Sequence, residues 1–198
     1  MTFLLAACGQ NSQLGEPSLK NTKTTSKDSL QTFSITKATA ADFSKAKRAY
    51  VDKTRYDSTT FTKVGREIKL PIAENGESIV RFKDTLVDTD ESDVRQYKYI
   101  GRFEKIGFYI VGGDFWEHTE YYLIDKKTGR QTTTWGLPKI SPRDKYIASL
   151  SMPYGLEGEP NGIQVWRLDR DEKNKRETVS LSKHVELDQQ DWAPDDFI

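Results

Sequence analysis

From residue 55 onward the chain divides into short runs rich in aromatic and β-branched residues, with turn signals between them, and this patterning points to an all-β fold. The runs are Thr60–Val64, Glu67–Leu70, Ser78–Phe82, Tyr97–Phe103, Gly107–Val111, Glu120–Ile124, Tyr146–Leu150 and Ile163–Leu168. Asn75-Gly76 and Asn161-Gly162 have the residue types of two-residue hairpin turns, in which both central positions need positive φ. Asp125-Lys126-Lys127-Thr128-Gly129 reads as a longer hairpin with Gly129 in the left-handed region. A mainly antiparallel sheet structure follows. One short helix precedes it, capped by Thr39 or Asp42, with Phe43, Ala46 and Tyr50 on one face; it is expected to pack on the domain as a lid.

A weak internal repeat runs through the strands. Arg81-Phe82-Lys83-Asp84, Tyr122-Leu123-Ile124-Asp125 and Trp166-Arg167-Leu168-Asp169 each end on an aspartate, at spacings of 41 and 44 residues. Phe108-Tyr109-Ile110-Val111 recurs as Tyr146-Ile147-Ala148-Ser149, 38 positions on. A period of roughly 40–45 residues is that of a four-stranded propeller blade. The segment Ile140-Ser141-Pro142-Arg143-Asp144-Lys145-Tyr146-Ile147-Ala148 resembles the Ser-Pro-Asp-Gly-Lys-type turn that leads into blade strands of bacterial WD-repeat-like and periplasmic propellers. Arg143-Asp144 stands where that turn usually has Asp-Gly, so a different turn is expected here. Trp192-Ala193-Pro194-Asp195 looks like another such entry. The resemblance covers about residues 75–198 and implies a small or partial β-propeller-like repeat. The roughly 160 residues available allow about four blades, the lower limit for closure. An open stack of blades, a chain cut short at its C-terminus and a β-sandwich remain alternatives.

At the N-terminus, Leu5-Ala6-Ala7-Cys8 resembles the lipobox of bacterial lipoproteins, and Cys8 is the single cysteine of the chain. The resemblance implies lipidation of Cys8 after removal of residues 1–7 and anchoring in a bacterial envelope membrane, with the outer membrane or cell surface favoured over the cytoplasm. The five apolar residues Phe3–Ala7 are shorter than a full signal and no basic residue precedes Lys20, so the signal is expected to be truncated or its start misassigned. Residues 8–31 are polar and poor in aromatics, and such a segment cannot bury enough apolar area to offset its ordering entropy. The implied organisation is a signal at 1–7, a flexible tether at 8–31 and a single β-rich domain at 32–198.

Thirty basic residues balance thirty acidic ones, so no overall field draws nucleic acid. With Cys8 lipidated, the domain would have neither disulfide nor thiol chemistry. The two histidines are His118 and His184. His118 and Glu120 share a strand face and could reach one metal ion, but a catalytic zinc site needs a third protein ligand and none can be named. Ser34-Ile35-Thr36-Lys37, Ser180-Leu181-Ser182-Lys183 and Lys127-Thr128-Gly129 match elements of penicillin-recognising serine enzymes. The accompanying Ser-Asp-Asn is missing, and the last of these elements serves a hairpin. No phosphate-binding glycine loop or zinc spacing occurs, and no cofactor is expected. Asp84, Asp125 and Asp169 are expected to cap their turns.

Aromatic residues in glycine-containing segments carry the remaining signal. Trp116 and Trp135, with Tyr154 in the Met152–Pro160 loop, are the candidate binding residues; core packing of the two tryptophans is the alternative. The expected function is an envelope-anchored binding module for a protein or glycan. A hydrolase with a dispersed carboxylate site and a toxin-neutralising partner protein are the alternatives.

Overall fold

In the computed structural model, residues 36–73, 78–85, 94–116, 118–152, 160–170 and 179–188 are described. Cys8, the tether, Asn75-Gly76, Tyr154 and Trp192–Asp195 lie outside them. The described residues divide between two units, 36–50 in the first and 51–188 in the second.

The described part of the first unit is helix α1, Ala40–Ala49. Thr39 is its N-cap, and the Thr39 hydroxyl and Asp42 carboxylate exchange the reciprocal bonds of a capping box. Phe43, Ala46 and Tyr50 are its partly covered positions, as the spacing predicts, yet no residue of the helix is buried.

The second unit is antiparallel β throughout its described strands, which confirms the all-β expectation. Its strands are β1 (Arg55–Tyr56), β2 (Glu67–Ile72), β3 (Ser78–Lys83), β4 (Arg95–Phe103), β5 (Phe108–Phe115), β6 (Thr119–Asp125), β7 (Gln131–Thr134), β8 (Lys139–Ile140), β9 (Tyr146–Ser151), β10 (Gly162–Arg170) and β11 (Val179–Asp188). They form a five-stranded sheet in the order β1-β4-β5-β6-β7, a four-stranded sheet β11-β10-β9-β8, and the hairpin β2-β3. Strands β4–β7 and β8–β11 are therefore two successive four-stranded meanders.

Alternation of side chains along each strand gives the central sheet two apolar faces. On one face Phe108, Ile110 and Leu123 pack with Ile140, Ile147, Trp166 and Leu181 of the four-stranded sheet. On the other, Tyr99, Tyr109, Val111 and Ile124 pack with Ile68, Leu70, Ile72 and Phe82 of the hairpin. The central strand β5 is consequently buried from Phe108 through Gly113 without alternation, the pattern of a strand covered on both faces.

Part of the sequence repeat falls on equivalent strands, Asp84 after the hairpin strand β3 being the exception. Phe108–Val111 and Tyr146–Ser149 are in β5 and β9, the second strands of the two meanders, while Asp125 and Asp169 lie at the ends of the third strands, β6 and β10. Asp125 caps its turn, accepting from the Lys127 and Thr128 amides, and Gly129 at φ 72 closes the turn onto the Asp125 carbonyl. The turns that follow Asp84 and Asp169 lie outside the described residues. Asp84 accepts from the Tyr97 amide on β4, and Asp169 stays within the sheet, bonded to Arg167 and to the Ser182 hydroxyl of β11.

Two expectations are corrected. Thr60–Val64 is no strand: Asp57 accepts from the Thr59 and Thr60 amides and winds the chain into turns, dropping Phe61 onto the rings of Tyr99 and Tyr109. Local side-chain bonds there outcompete β propensity. Asn161-Gly162 is no hairpin turn, because Gly162 already pairs with Ser151 on one side and Asp188 on the other. In the β8–β9 turn, Asp144 adopts φ 53, so an aspartate takes the left-handed conformation at the position where the resemblance places glycine.

Candidate functional site: an aromatic surface at one end of the meanders

The connections of the meanders alternate between two ends. One end carries the β5–β6 turn, the β7–β8 connection and the β9–β10 loop. The Phe115 amide donates to the His118 carbonyl at 2.9 Å, which leaves Trp116 at the apex of a tight hairpin. Trp116 is accordingly 54% exposed, and the alternative that packs it in the core does not hold for it. Neither glycine nor asparagine marks this apex, so the turn is not evident in the sequence.

Trp135, directly after β7, is half-buried. Its amide donates to Gln164 Oε1 at 3.0 Å, and the buried Ser149 hydroxyl donates to the same oxygen at 3.1 Å. The Gln164 side-chain amide in turn donates to Glu186 at 2.9 Å. Burial disfavours ionisation of Glu186, but its bonds from Lys183 and Gln164 outweigh that and hold its carboxyl below the usual range. Thr134, wholly buried, bonds the carbonyls of Tyr121 and Gly136. A buried glutamine with both ends satisfied thus ties the segment after β7 to the second meander; a lone Gln in a strand run gives no such signal in the sequence.

Next to the Trp116 apex lies a set of rings that single-residue motifs do not reveal. Positions 95 and 97 of β4, 113 and 115 of β5, and 118, 120 and 122 at β6 share one face by register. Phe115 and His118 stack with centroids 4.7 Å apart and planes 7° from parallel. Tyr97 meets Phe115 edge-on at 6.1 Å, and buried Phe82 closes the inner side at 5.2 Å from Tyr97 and 5.4 Å from Tyr122. The rings close over Gly113: a Cβ there would come within 3.0 Å of Phe115, 3.1 Å of Tyr122 and 3.2 Å of Tyr97. Tyr97, Phe115, His118 and Tyr122 are all half-buried, so the outer side of the set reaches solvent.

The sequence pairing of His118 with Glu120 is realised, with Nε2 3.6 Å from Glu120 Oε1. The other carboxylate oxygen accepts from the Tyr122 hydroxyl at 2.6 Å. Burial, and then the Glu120 bond, push the Tyr122 hydroxyl well above its ordinary value, so it remains a donor at every physiological pH. Among the described residues no group of three or more His, Cys, Asp or Glu could hold a metal ion, and His118 with Glu120 gains no third ligand there. His184 is in β11; the Ser180–Lys183 run belongs to the same strand and Lys127-Thr128-Gly129 to the β6–β7 turn.

The opposite end is built from ions. Asp144, buried at its turn, accepts from Lys53 Nζ and from Lys105 Nζ at 2.5 Å. Lys53 also donates to the Pro142 carbonyl at 2.6 Å. Burial disfavours the Asp144 anion, but Lys105 and Lys53 outweigh it and hold the carboxyl below its usual range. Arg102 bridges Glu104 and Asp57, and Lys126 lies 4.9 Å over the Tyr109 ring.

No known protein family, curated protein or solved structure matches the chain. Among the described residues no helix is long and apolar enough to cross a membrane.

Proposed function

We propose that this protein is an envelope lipoprotein, anchored through Cys8, whose β domain is a binding module that uses the end of the meanders bearing Trp116 and Trp135. The observation that carries the reading is the half-exposed ring set beside the Trp116 apex, held around β5, which is covered on both faces from Phe108 to Gly113. Side chains presented by a rigid scaffold lose little freedom on binding, and aromatic anchors dominate interface energetics. The proposal includes a propeller-like relation between the two meanders. It is supported by their face-to-face packing and by the fall of part of the sequence repeat on equivalent strands.

The test is a mild-detergent pull-down from envelopes with the wild-type chain, Cys8→Ser and Trp116→Ala. The expected result is a stoichiometric ligand that Trp116→Ala loses and a Cys8→Ser protein that leaves the membrane fraction. An unlipidated Cys8, or capture unchanged by Trp116→Ala, would overturn the corresponding half of the proposal.

A further inference from the structure

We infer that the ring set formed by Tyr97, Phe115, His118 and Tyr122, with Glu120 and Arg95 on the same face, is a subsite for a neutral saccharide. The inference rests on the binding-module reading above and names its ligand class. Three classes of small ligand could meet such rings, and the charges on this face discriminate among them. Arg95 is exposed at the start of β4, directly across from Phe115 in the register, and it would oppose a cation. Glu120, half-buried among the rings, would oppose an anion. A neutral ligand meets neither penalty and finds both a donor and an acceptor.

The geometry suits a polyhydroxyl ring. An aromatic face carries partial negative charge and attracts the slightly positive C–H groups that line one side of a sugar ring. The parallel Phe115–His118 stack and the edge-on Tyr97 build a surface of that kind beside the Trp116 apex. Glu120 Oε2 is committed to the Tyr122 hydroxyl, but Oε1 lies 3.6 Å from His118 Nε2, beyond hydrogen-bond distance. A carboxylate oxygen has more than one lone pair, so Oε1 can accept from a sugar hydroxyl without breaking a bond already made. Few polar groups placed around an apolar floor are the usual means of fixing a small ligand's orientation. Gly113 supplies the floor: with no side chain there, the three rings close over the backbone.

The experiment is calorimetric titration of the full chain, in detergent, with cellohexaose, maltohexaose and chitohexaose, and with oligolysine and oligoglutamate as charged probes. The expected result is binding of at least one neutral hexasaccharide, weakened at least roughly tenfold by His118→Ala and by Phe115→Leu, and unchanged by Ile79→Ala on the exposed side of β3. His118→Ala removes a half-buried ring at the outer apex and keeps the test valid if Phe115→Leu fails to fold. Saccharide binding indifferent to His118→Ala, or binding of a charged probe in preference, would overturn the subsite. Failure of every saccharide alongside one-to-one capture of a protein that Trp116→Ala abolishes would overturn the saccharide and leave the module reading standing. Failure of both would overturn both.

Discussion

The two ends of the meanders solve the same problem differently. At the end bearing the β4–β5, β6–β7 and β8–β9 turns, each reversal is fixed by charge or by a side-chain cap: Glu104 on Arg102, Asp125 on its own turn, Asp144 between two lysines. At the other end the inner connection is fixed by buried Gln164, while the outer apex leaves Trp116 and a shelf of rings in partial contact with water. The first arrangement spends its polar groups on the fold. The second holds some in reserve, and reserve capacity on a stiff scaffold is what binding requires. The contrast predicts that substitutions at the ionic end cost stability, whereas those at the outer ring apex cost binding.

The largest effect tests whether the ring end is soft throughout. A Cβ on Gly136 would come 2.0 Å from the Leu150 carbonyl oxygen, and a backbone atom cannot step aside as a side chain can. Gly136→Ala is expected to cost about 3 kcal/mol in chemical denaturation and to loosen the Trp135 segment. A cost below about 1 kcal/mol would show that this connection yields, and the inner and outer parts of that end would no longer differ.

Asp144 is the corresponding probe of the ionic end. Asp144→Ala removes the acceptor for two ammonium groups and keeps a Cβ at φ 53. The expected loss is about 2–3 kcal/mol, less than for a fully buried pair because both lysines can still reach water. Asp144→Gly removes the same charge but relaxes the backbone, so it should be more stable than Asp144→Ala by about 1 kcal/mol. Equal melting points for the two would mean that the left-handed residue carries no strain. The same group sets an acid dependence. Its folded-state pKa lies below the unfolded value near 3.8, so its contribution is present above that pH and is lost as the pH falls through the folded value. The stability gap between wild type and Asp144→Asn should therefore be constant near neutrality and close below about pH 3.8. A gap that persists in stronger acid would assign the effect to packing instead.

Legibility in the sequence followed the same division. Strands with a continuous apolar or alternating run, such as β5, β6 and β10, are evident because their burial is written in residue type. Strand β7, Gln131–Thr134, is not: its three threonines favour a strand, but a run of four polar residues shows no apolar alternation, and its place is set by pairing with β6. Strand β11 is obscured by a charge at Lys183, beside a bulge in β11 itself, where position 184 is the extra residue opposite Val165–Trp166 of β10. Two of the three repeat aspartates, Asp125 and Asp169, fall on equivalent strands, while Asp84 follows the hairpin strand β3; its bond from the Tyr97 amide on another strand leaves no local signature. The candidate site was legible only as separate letters. Trp116, His118 and Glu120 could each be picked out, but the face that His118 and Glu120 share with Tyr97, Phe115 and Tyr122 depends on the β4–β5–β6 register.

At the outer apex the stability effects should be the smallest and the functional ones the largest. Trp116 is more than half exposed, so Trp116→Ala should change stability by no more than about 0.5 kcal/mol. Gly113→Ala is the finer instrument. Its new methyl would press on three ring edges at 3.0–3.2 Å, and rings can give by the few tenths of an ångström required. The expected cost is about 1 kcal/mol, with a displaced Phe115 that no longer lies flat against His118. Near-ultraviolet circular dichroism and nuclear magnetic resonance ring-current shifts would register that displacement. If the shifts move and ligand binding is lost while the fold persists, the shelf is a surface kept in order for a ligand. If the rings move and binding is untouched, the reserve lies elsewhere on that end, and Trp135 becomes the residue to vary next.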